Sequence, residues 1–440
     1  RISKRKAAFL DEILEALDAQ WNERGYLKGI CAPEAINEQQ LSGHNWLLRG
    51  LLELYISRNE EKYAERARRI VENLYLPLLG KFPTYPTARE KRMAKAEAAG
   101  HLGEEIVDGW LLSTDIGCAF ISMDALAQYY TLFADASVRA LLSEMIATFR
   151  RIDVEKSSLQ THATLSALRG ILRLCEAKPD EDLLTFAKEL FAHYVQYGMT
   201  ANYANYNWFG RPYWTEPCAI VDSYMAAMSL FRLTRQSEDA ILANRISYNA
   251  LLASQRPNGG FGCDLCSGTE QSGAFVQTNT DVYEAWWCCS MRGAEGLCSA
   301  AANSILTEDN QIWFVHYLSG HYCTKNADIV VKTAYPNENR LSISLCGVKQ
   351  ALQLQLYIPQ GAKDVTVRLN GQPQRVQLSD FLRISVCADT VLELSFLLLP
   401  ENMPAGGFFT TEHAQITMQG DQILGRDEYS RQIFLADRIY

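Results

Sequence analysis

The chain has 440 residues, 48% of them hydrophobic and 10% aromatic, enough for roughly two or three domains with large cores, which excludes a disordered protein. Its net charge of −9, from 42 Lys and Arg against 51 Asp and Glu spread along the chain, argues against a nucleic-acid partner and fits a neutral sugar better than a phosphorylated ligand. No apolar run reaches the ~18–20 residues that cross a bilayer, so no membrane partner is expected, and no signal-peptide pattern opens the sequence.

From the start to about Leu306 the chain reads as one amphipathic helix after another. Phe9, Ile13, Leu14 and Leu17 share a face of the first helix, and Trp46, Leu47, Leu51, Leu54 and Ile56 mark the next. Similar spacing recurs over 121–132, 138–149, 164–174 and 183–197, with Pro- or Gly-containing breaks at 77–86, 179, 198–212 and 257–262. About eleven or twelve paired helices predict a closed double ring, an (α/α)-barrel, over an open helical array.

Beyond about Gln311 the hydrophobic period changes to that of strands. Leu352, Leu354, Leu356 and Ile358 alternate with Gln353, Gln355 and Tyr357, and Val365, Val367 and Leu369 run into Asn370-Gly371, a strong hairpin signal. Leu382, Ile384 and Val386, then Val391, Leu392, Leu394 and Phe396, continue as strands. The expected organisation is a mainly α chain with a C-terminal all-β domain: a helical barrel over 1–308 and an antiparallel β-sandwich over 309–440.

Twelve cysteines are many for this length, yet they do not form the dense framework of a small secreted domain. Cys118, Cys175, Cys298, Cys346 and Cys387 sit in apolar periodic segments, where cysteine behaves as a small hydrophobe. A reducing compartment follows as the expectation, and with it a cytoplasmic location.

Two helix starts carry more chemistry. In Trp214-Thr215-Glu216-Pro217-Cys218, proline suits the first position of a helix, so Glu216 and Cys218 flank an N-terminus that favours anions and thiolate. Trp286-Trp287-Cys288-Cys289-Ser290 precedes a second helical run, Met291 to Ile305. Adjacent cysteines bond to each other only with strain, so a shared metal is the natural use of the pair, and thiolate-rich tetrahedral sites select zinc. Core filling is the plain alternative for each motif alone. Cys263 and Cys266, a C-x-x-C in a Gly-rich turn, offer a rival: a closed structural zinc centre with Cys288 and Cys289.

His44 and His162 each lie near a helix start and could reach sugar at the rim of a barrel, although a lone histidine there is more often a satisfied structural one. The stretch 203–209, with Tyr203 and Trp208, is too polar for a helix face; its aromatic platforms and Asn side chains suit a sugar, or a packed loop.

Thr215-Glu216-Pro217-Cys218-Ala219 resembles the Glu-x-Cys-Ala segment of glycoside hydrolase family 127, the β-L-arabinofuranosidase-like enzymes, and Trp287-Cys288-Cys289 resembles its Cys-Cys segment. His162-Ala163-Thr164 with Arg169-Gly170 and Leu172-Arg173-Leu174 is similar to its His-Ala helix, and 364–371 to its sandwich hairpin. The resemblance implies an (α/α)6 barrel, retaining hydrolysis of β-L-arabinofuranosides or related sugars, and zinc held by Glu216, Cys218, Cys288 and Cys289. It implies Cys288 as nucleophile and His162, with His44, as residues that touch sugar hydroxyls. The implied partners are a carbohydrate substrate and, left open, a second copy of the chain as a homodimer. One departure stands out. Relatives carry a glutamate general acid/base shortly before the ligand glutamate, whereas here no Asp or Glu occurs between Glu189 and Glu216, and Ala201, with Thr200 as the neighbouring register, marks the vacated position. Asp115, Asp222 and Glu284 are the carboxyls that could substitute; otherwise the chain is an impaired, sugar-binding or structural zinc relative.

Overall fold

A computed structural model describes residues 4–27, 35–87, 102–211, 215–263, 288–408 and 414–426. They form ten α-helices: α1 (Lys4–Asp18), α2 (Glu38–Arg58), α3 (Glu61–Ile70), α4 (Ser122–Phe133), α5 (Ala136–Phe149), α6 (Thr161–Ala177), α7 (Glu181–Tyr197), α8 (Pro217–Thr234), α9 (Ser237–Ile246) and α10 (Cys288–Ala302). Local chemistry sets their ends. The Asn37 side chain accepts from the Gln40 N–H at 3.1 Å to start α2, and Asp135 accepts from Ser137 and Val138 to start α5. Asn59 and Ala134 close α2 and α4 in the left-handed region, with φ of 54° and 51°.

The chain packs as two compact units, one taking the chain to Phe191 with Trp208–Gly210, the other taking Ala192–Asn207 and everything from Arg211 on. In the first unit α4 lies so close to α6 that a Cβ at Gly170 would sit 2.6 Å from the Met123 carbonyl. A buried ion cluster fastens the same helices: Asp124 of α4 meets Arg49 of α2 at 3.1 Å and Arg169 and Arg173 of α6 at 3.3 and 2.5 Å. This unit also holds a small sheet, β1 (Ile36–Asn37), β2 (Leu102–Val107) and β3 (Trp110–Ser113), ordered β1-β3-β2. Asp108 and Gly109, with φ of 50° and 85°, make the β2–β3 turn.

In the second unit α10 packs on α8 at Gly296, where a Cβ would meet Val221 at 2.6 Å, and against the segment after α9 at Gly293, where a Cβ would strike the Phe261 ring. After α10 the chain turns to strands: β4 (Ile305–Glu308), β5 (Gln311–Phe314), β6 (Gly320–Cys323), β7 (Asp328–Thr333), β8 (Arg340–Cys346), β9 (Leu352–Tyr357), β10 (Lys363–Leu369), β11 (Gln372–Gln374), β12 (Phe381–Val386), β13 (Thr390–Leu397), β14 (Glu401–Pro404), β15 (Gln415–Gln419) and β16 (Gln422–Arg426). A six-stranded sheet, ordered β11-β10-β13-β8-β7-β6, and a four-stranded sheet, ordered β12-β9-β5-β4, share one apolar cluster that includes Ile329, Ile343 and Leu392 of the former and Ile312, Leu354 and Leu382 of the latter. Asn370 and Gly371, with φ of 49° and 79°, form the hairpin turn that their dipeptide predicts.

The chain is therefore mainly helical with a C-terminal region of antiparallel sheets, and the change of period falls between Ala302 and Ile305. Three details depart from the sequence reading. β5 pairs parallel with β9, because periodicity fixes which face a residue takes but not which strand lies beside it. The strongly polar α3 and the short α9 carry too few large apolar residues to stand out individually in the sequence. Phe9 and Ile13 of α1 stay exposed, at 63% and 41%, although they define its apolar face.

Candidate active site

Pro217 starts α8, with Glu216 as its N-cap residue, and the Glu216 N–H is held by the Asn205 side-chain oxygen at 2.8 Å. Cys218 is thereby placed in the first turn of α8, and Cys288 and Cys289 open α10. Because α8 and α10 pack side by side, ligand atoms of Glu216, Cys218, Cys288 and Cys289 all lie within 4.8 Å of one another. The Cys218 and Cys288 sulfurs are 3.4 Å apart. Glu216, Cys218 and Cys289 are buried, whereas Cys288 is exposed.

One turn further along each helix, Asp222 of α8 and Arg292 of α10 form an ion pair, both side chains fully buried, and Arg292 also bonds Glu295. Cys218 and Asp222 are four residues apart on α8, as Cys288 and Arg292 are on α10, so thiol pair and ion pair stack one turn above the other. This brace escaped the sequence reading, although an acid and a base each four residues after a candidate ligand was a visible signal. It also engages Asp222, one of the carboxyls that could substitute as acid, in an ion pair with Arg292.

Burial and the neighbouring Cys288 and Cys289 thiols push the Cys218 thiol well above its ordinary value. Hydrogen bonding to Cys218 lowers the Cys289 thiol, but the Cys263 thiol and burial outweigh it and leave Cys289 at about 11. The helix N-termini alone therefore do not deliver thiolates, contrary to the expectation from sequence, because crowded thiols, with Cys218 and Cys289 buried among them, oppose ionisation. A cation reverses that balance. Two sulfurs about 2.3 Å from a shared zinc at the tetrahedral angle lie about 3.8 Å apart, so three sulfurs and one carboxylate within this span suit a four-coordinate, thiophilic metal.

Cys263 of the rival site lies beside this set, its sulfur 3.9 Å from that of Cys289. It is positioned by Arg256, which donates to its carbonyl at 3.0 Å, and by the Phe261 N–H, which donates to Ser290 Oγ at 2.9 Å. Cys266, Glu284, Trp214, Trp286 and Trp287 fall outside the described residues.

Ala201, expected from sequence at the vacated acid position, sits in a tight turn. Gly198 O accepts from the Tyr206 N–H at 2.8 Å, the Thr200 N–H donates to Ala204 O at 3.1 Å, the Ala204 N–H donates to Thr200 Oγ1 at 3.0 Å, and Thr200 Oγ1 donates to Asn202 at 2.6 Å. Ala201 is buried at its tip. The same turn supplies Asn205, which holds Glu216, so position 201 belongs to a loop tied directly to the metal-type cluster. Tyr203, at φ 62°, packs on Ile416, Met418 and Ile423 and lies under the Arg245 guanidinium.

In the first unit His162 lies in the opening turn of α6, with its ring stacked on Trp46 at 5.6 Å and 12°. Arg49, a member of the Asp124 cluster, sits 5.6 Å over that same Trp46 ring. The two nitrogens of His44 serve the backbone, Nε2 accepting from the Leu27 N–H at 3.1 Å and Nδ1 bonding Gln40 O at 2.8 Å. Burial lowers the His44 pKa against that second bond, which keeps the ring neutral. Trp208 is fully buried. Asp115 is half-buried in the loop after β3, its N–H donating to Ser113 Oγ at 3.0 Å.

Fold and site define a class: a helical protein with C-terminal β-sheets and a buried Glu/Cys/Cys/Cys cluster able to hold a metal ion. A family model for the catalytic domain of β-L-arabinofuranosidases, GH127, matches residues 15–302. The chain belongs to that glycoside hydrolase family. Among solved structures it is similar to one described as a glycoside hydrolase (TM-score 0.72, 13% identity, 96% of this chain and 74% of the other). It is also similar to a GH127 β-arabinofuranosidase (0.72, 15%, 96% and 72%) and to a GH127 β-L-arabinofuranosidase from Geobacillus stearothermophilus T6 (0.65, 12%, 95% and 73%). At these identities the structures speak to the fold alone. No curated protein matches the chain by sequence.

Proposed function

We propose that this glycosidase-family chain acts on β-L-arabinofuranosides or closely related sugars with Cys288 as nucleophile and zinc as its metal. The observation that carries this reading is the exposure pattern: of the four clustered ligands, only Cys288 is open to solvent. Glu216, Cys218 and Cys289 would hold the ion from within, and bound zinc would keep the thiols ionised at neutral pH. The Cys288 sulfur attacks the anomeric carbon as the bond to the leaving oxygen breaks; water then replaces sulfur, so the configuration is retained. We assign His162, on its Trp46 platform, to sugar binding, and His44, Tyr203 and Trp208 to packing. A reducing compartment suits a site that depends on free thiols.

Position 201 has no proton to give, and general acid catalysis is worth typically ~10²–10⁴-fold. Natural glycosides should therefore be cut slowly, while an activated aryl furanoside, whose phenolate leaves unaided, transfers its sugar to Cys288. The adduct should be visible by mass spectrometry and absent in Cys288→Ser, and Ala201→Glu, or Thr200→Glu in the neighbouring register, should restore turnover of the natural linkage. Full activity on an unactivated glycoside, lost on Asp115→Asn or Glu284→Gln, would move the acid elsewhere. The lack of a carboxylate between Glu189 and Glu216 favours a second reading, a silent sugar-binding or structural zinc relative. No adduct with any activated furanoside, in either glutamate variant, would establish it.

A further inference from the structure

Away from the buried cluster, a second set of metal-type donors stands on the outer hairpin of the six-stranded sheet. Strand β6 is terminal in that sheet and carries His321 and Cys323, two residues apart and hence on one face. Tyr322 between them packs toward the apolar cluster and donates its hydroxyl to Leu318 O at 3.0 Å, which fixes the other two outward. Asp328 of β7 is the direct cross-strand partner of Cys323. His321 Nε2 is 3.9 Å from Cys323 Sγ and 4.0 Å from an Asp328 carboxylate oxygen, and donor atoms of the three lie within 4.8 Å of one another. All three residues are exposed.

The backbone beneath them is held in place. Thr324 and Ala327 close the turn through the Thr324 N–H to Ala327 O bond at 3.0 Å and the Ala327 N–H to Thr324 Oγ1 bond at 3.1 Å. Asn326 ties the same turn to Asp309 O at 2.8 Å and accepts from the Lys349 N–H at 3.1 Å. Ligand atoms around a zinc-sized ion lie roughly 3.3–3.8 Å apart, so rotations of exposed side chains on a fixed hairpin suffice to close the set. One imidazole, one thiol and one carboxylate form a mixed donor set that selects borderline first-row cations over calcium or magnesium.

We propose that His321, Cys323 and Asp328 form a second, exchangeable site for a divalent cation of the zinc class. Three protein ligands leave a coordination position for water, and exposure makes the site weaker than the buried one. The metal would clamp the free edge of the sheet, staple-fashion, across the β6–β7 hairpin.

The test uses the full-length chain, stripped of metal under reducing conditions and titrated with Co²⁺, whose sulfur charge-transfer and d–d bands report each site. The wild type should bind a second, weaker equivalent that Cys323→Ser and His321→Ala each remove, while Cys218→Ser removes the tighter one and keeps the weaker. Since all three residues are exposed, these variants should leave the fold intact. In parallel, Zn²⁺ should slow iodoacetamide modification of Cys323 but not of the exposed Cys346 and Cys387. Equal Co²⁺ stoichiometry in wild type, Cys323→Ser and His321→Ala overturns the proposal, as does Cys323 alkylation that proceeds alike with and without metal.

Discussion

Asp124→Asn removes one charge from the centre of the first unit and leaves three arginines facing it. Asp124 is fully buried; Arg49 and Arg169 beside it have side-chain exposures of 9% and 4%, and Arg173 of 26%. Burial alone would raise the Asp124 carboxyl, but Arg169, Arg173 and Arg49 together more than offset it and hold it far below the carboxylate range. At an effective dielectric of 20 a pair at this separation attracts by about 4 kcal/mol, and breaking a buried pair typically costs about 3–5 kcal/mol after desolvation. Arg173 is the half-buried member of the three, so Arg173→Gln should cost less than Asp124→Asn, about 1–3 kcal/mol. We expect Asp124→Asn to lose about 3–5 kcal/mol in urea unfolding of the first unit, followed by tryptophan fluorescence and amide circular dichroism. A depressed folded pKa contributes stability above the unfolded value, about 3.9, and loses it as pH falls further, so the difference between variant and wild type should narrow below about pH 4. The cluster also joins the helices that carry Trp46 and His162, so under the proposed role of His162 the same substitution should weaken sugar binding. A loss below about 1 kcal/mol, or a difference that does not change with pH, would refute the reasoning.

Gly293→Ala should cost about 1–3 kcal/mol and weaken metal retention, since the added methyl meets the Phe261 ring and shifts the helix that begins with Cys288 and Cys289; calorimetry and metal analysis would check both effects. Burial raises the Asp421 carboxyl to about 6 against two tyrosine hydrogen bonds, from Tyr335 at 2.9 Å and Tyr357 at 2.8 Å. A raised folded pKa gives stability present below the unfolded value and lost as pH rises through the folded one, so Asp421→Asn should gain about 2–3 kcal/mol relative to wild type between pH 4 and 8. A pH-independent difference in melting would count against that assignment. An electrophilic furanose analogue should label Cys288 ahead of every other cysteine by peptide mapping, because Cys288 is the exposed member of the cluster.

The residues show why some of this was legible in the sequence and some was not. Glu-x-Cys and Cys-Cys advertised themselves because helix-start chemistry is local: Pro217 fixes where α8 begins, and adjacent cysteines have few other uses. What the thiols would titrate like was not legible, since the crowding of Cys218, Cys288 and Cys289 arises only when α8 and α10 pack. The Asp124 cluster joins residues far apart in sequence, and Arg49, Arg169 and Arg173 read singly as ordinary polar positions. His44 could be read either way until the partners of its two nitrogens, Leu27 and Gln40, were in place. The alternation that predicted β9 and β13 said nothing of the parallel neighbour that β5 gives β9. By contrast, the Asp108-Gly109 hairpin carried a signal as good as Asn370-Gly371 and was hidden only by the surrounding helices.

The central claim, a zinc held by one carboxylate and three thiolates, is tested most directly by metal analysis of the purified chain combined with X-ray absorption at the zinc edge. The account predicts about one tightly held zinc per chain, with three sulfurs at about 2.3 Å and one lighter atom at about 2.0–2.2 Å, and its loss in Cys218→Ser and Cys289→Ser. A four-sulfur shell that survives Cys218→Ser and disappears with Cys263→Ser would contradict it and establish the closed structural centre instead.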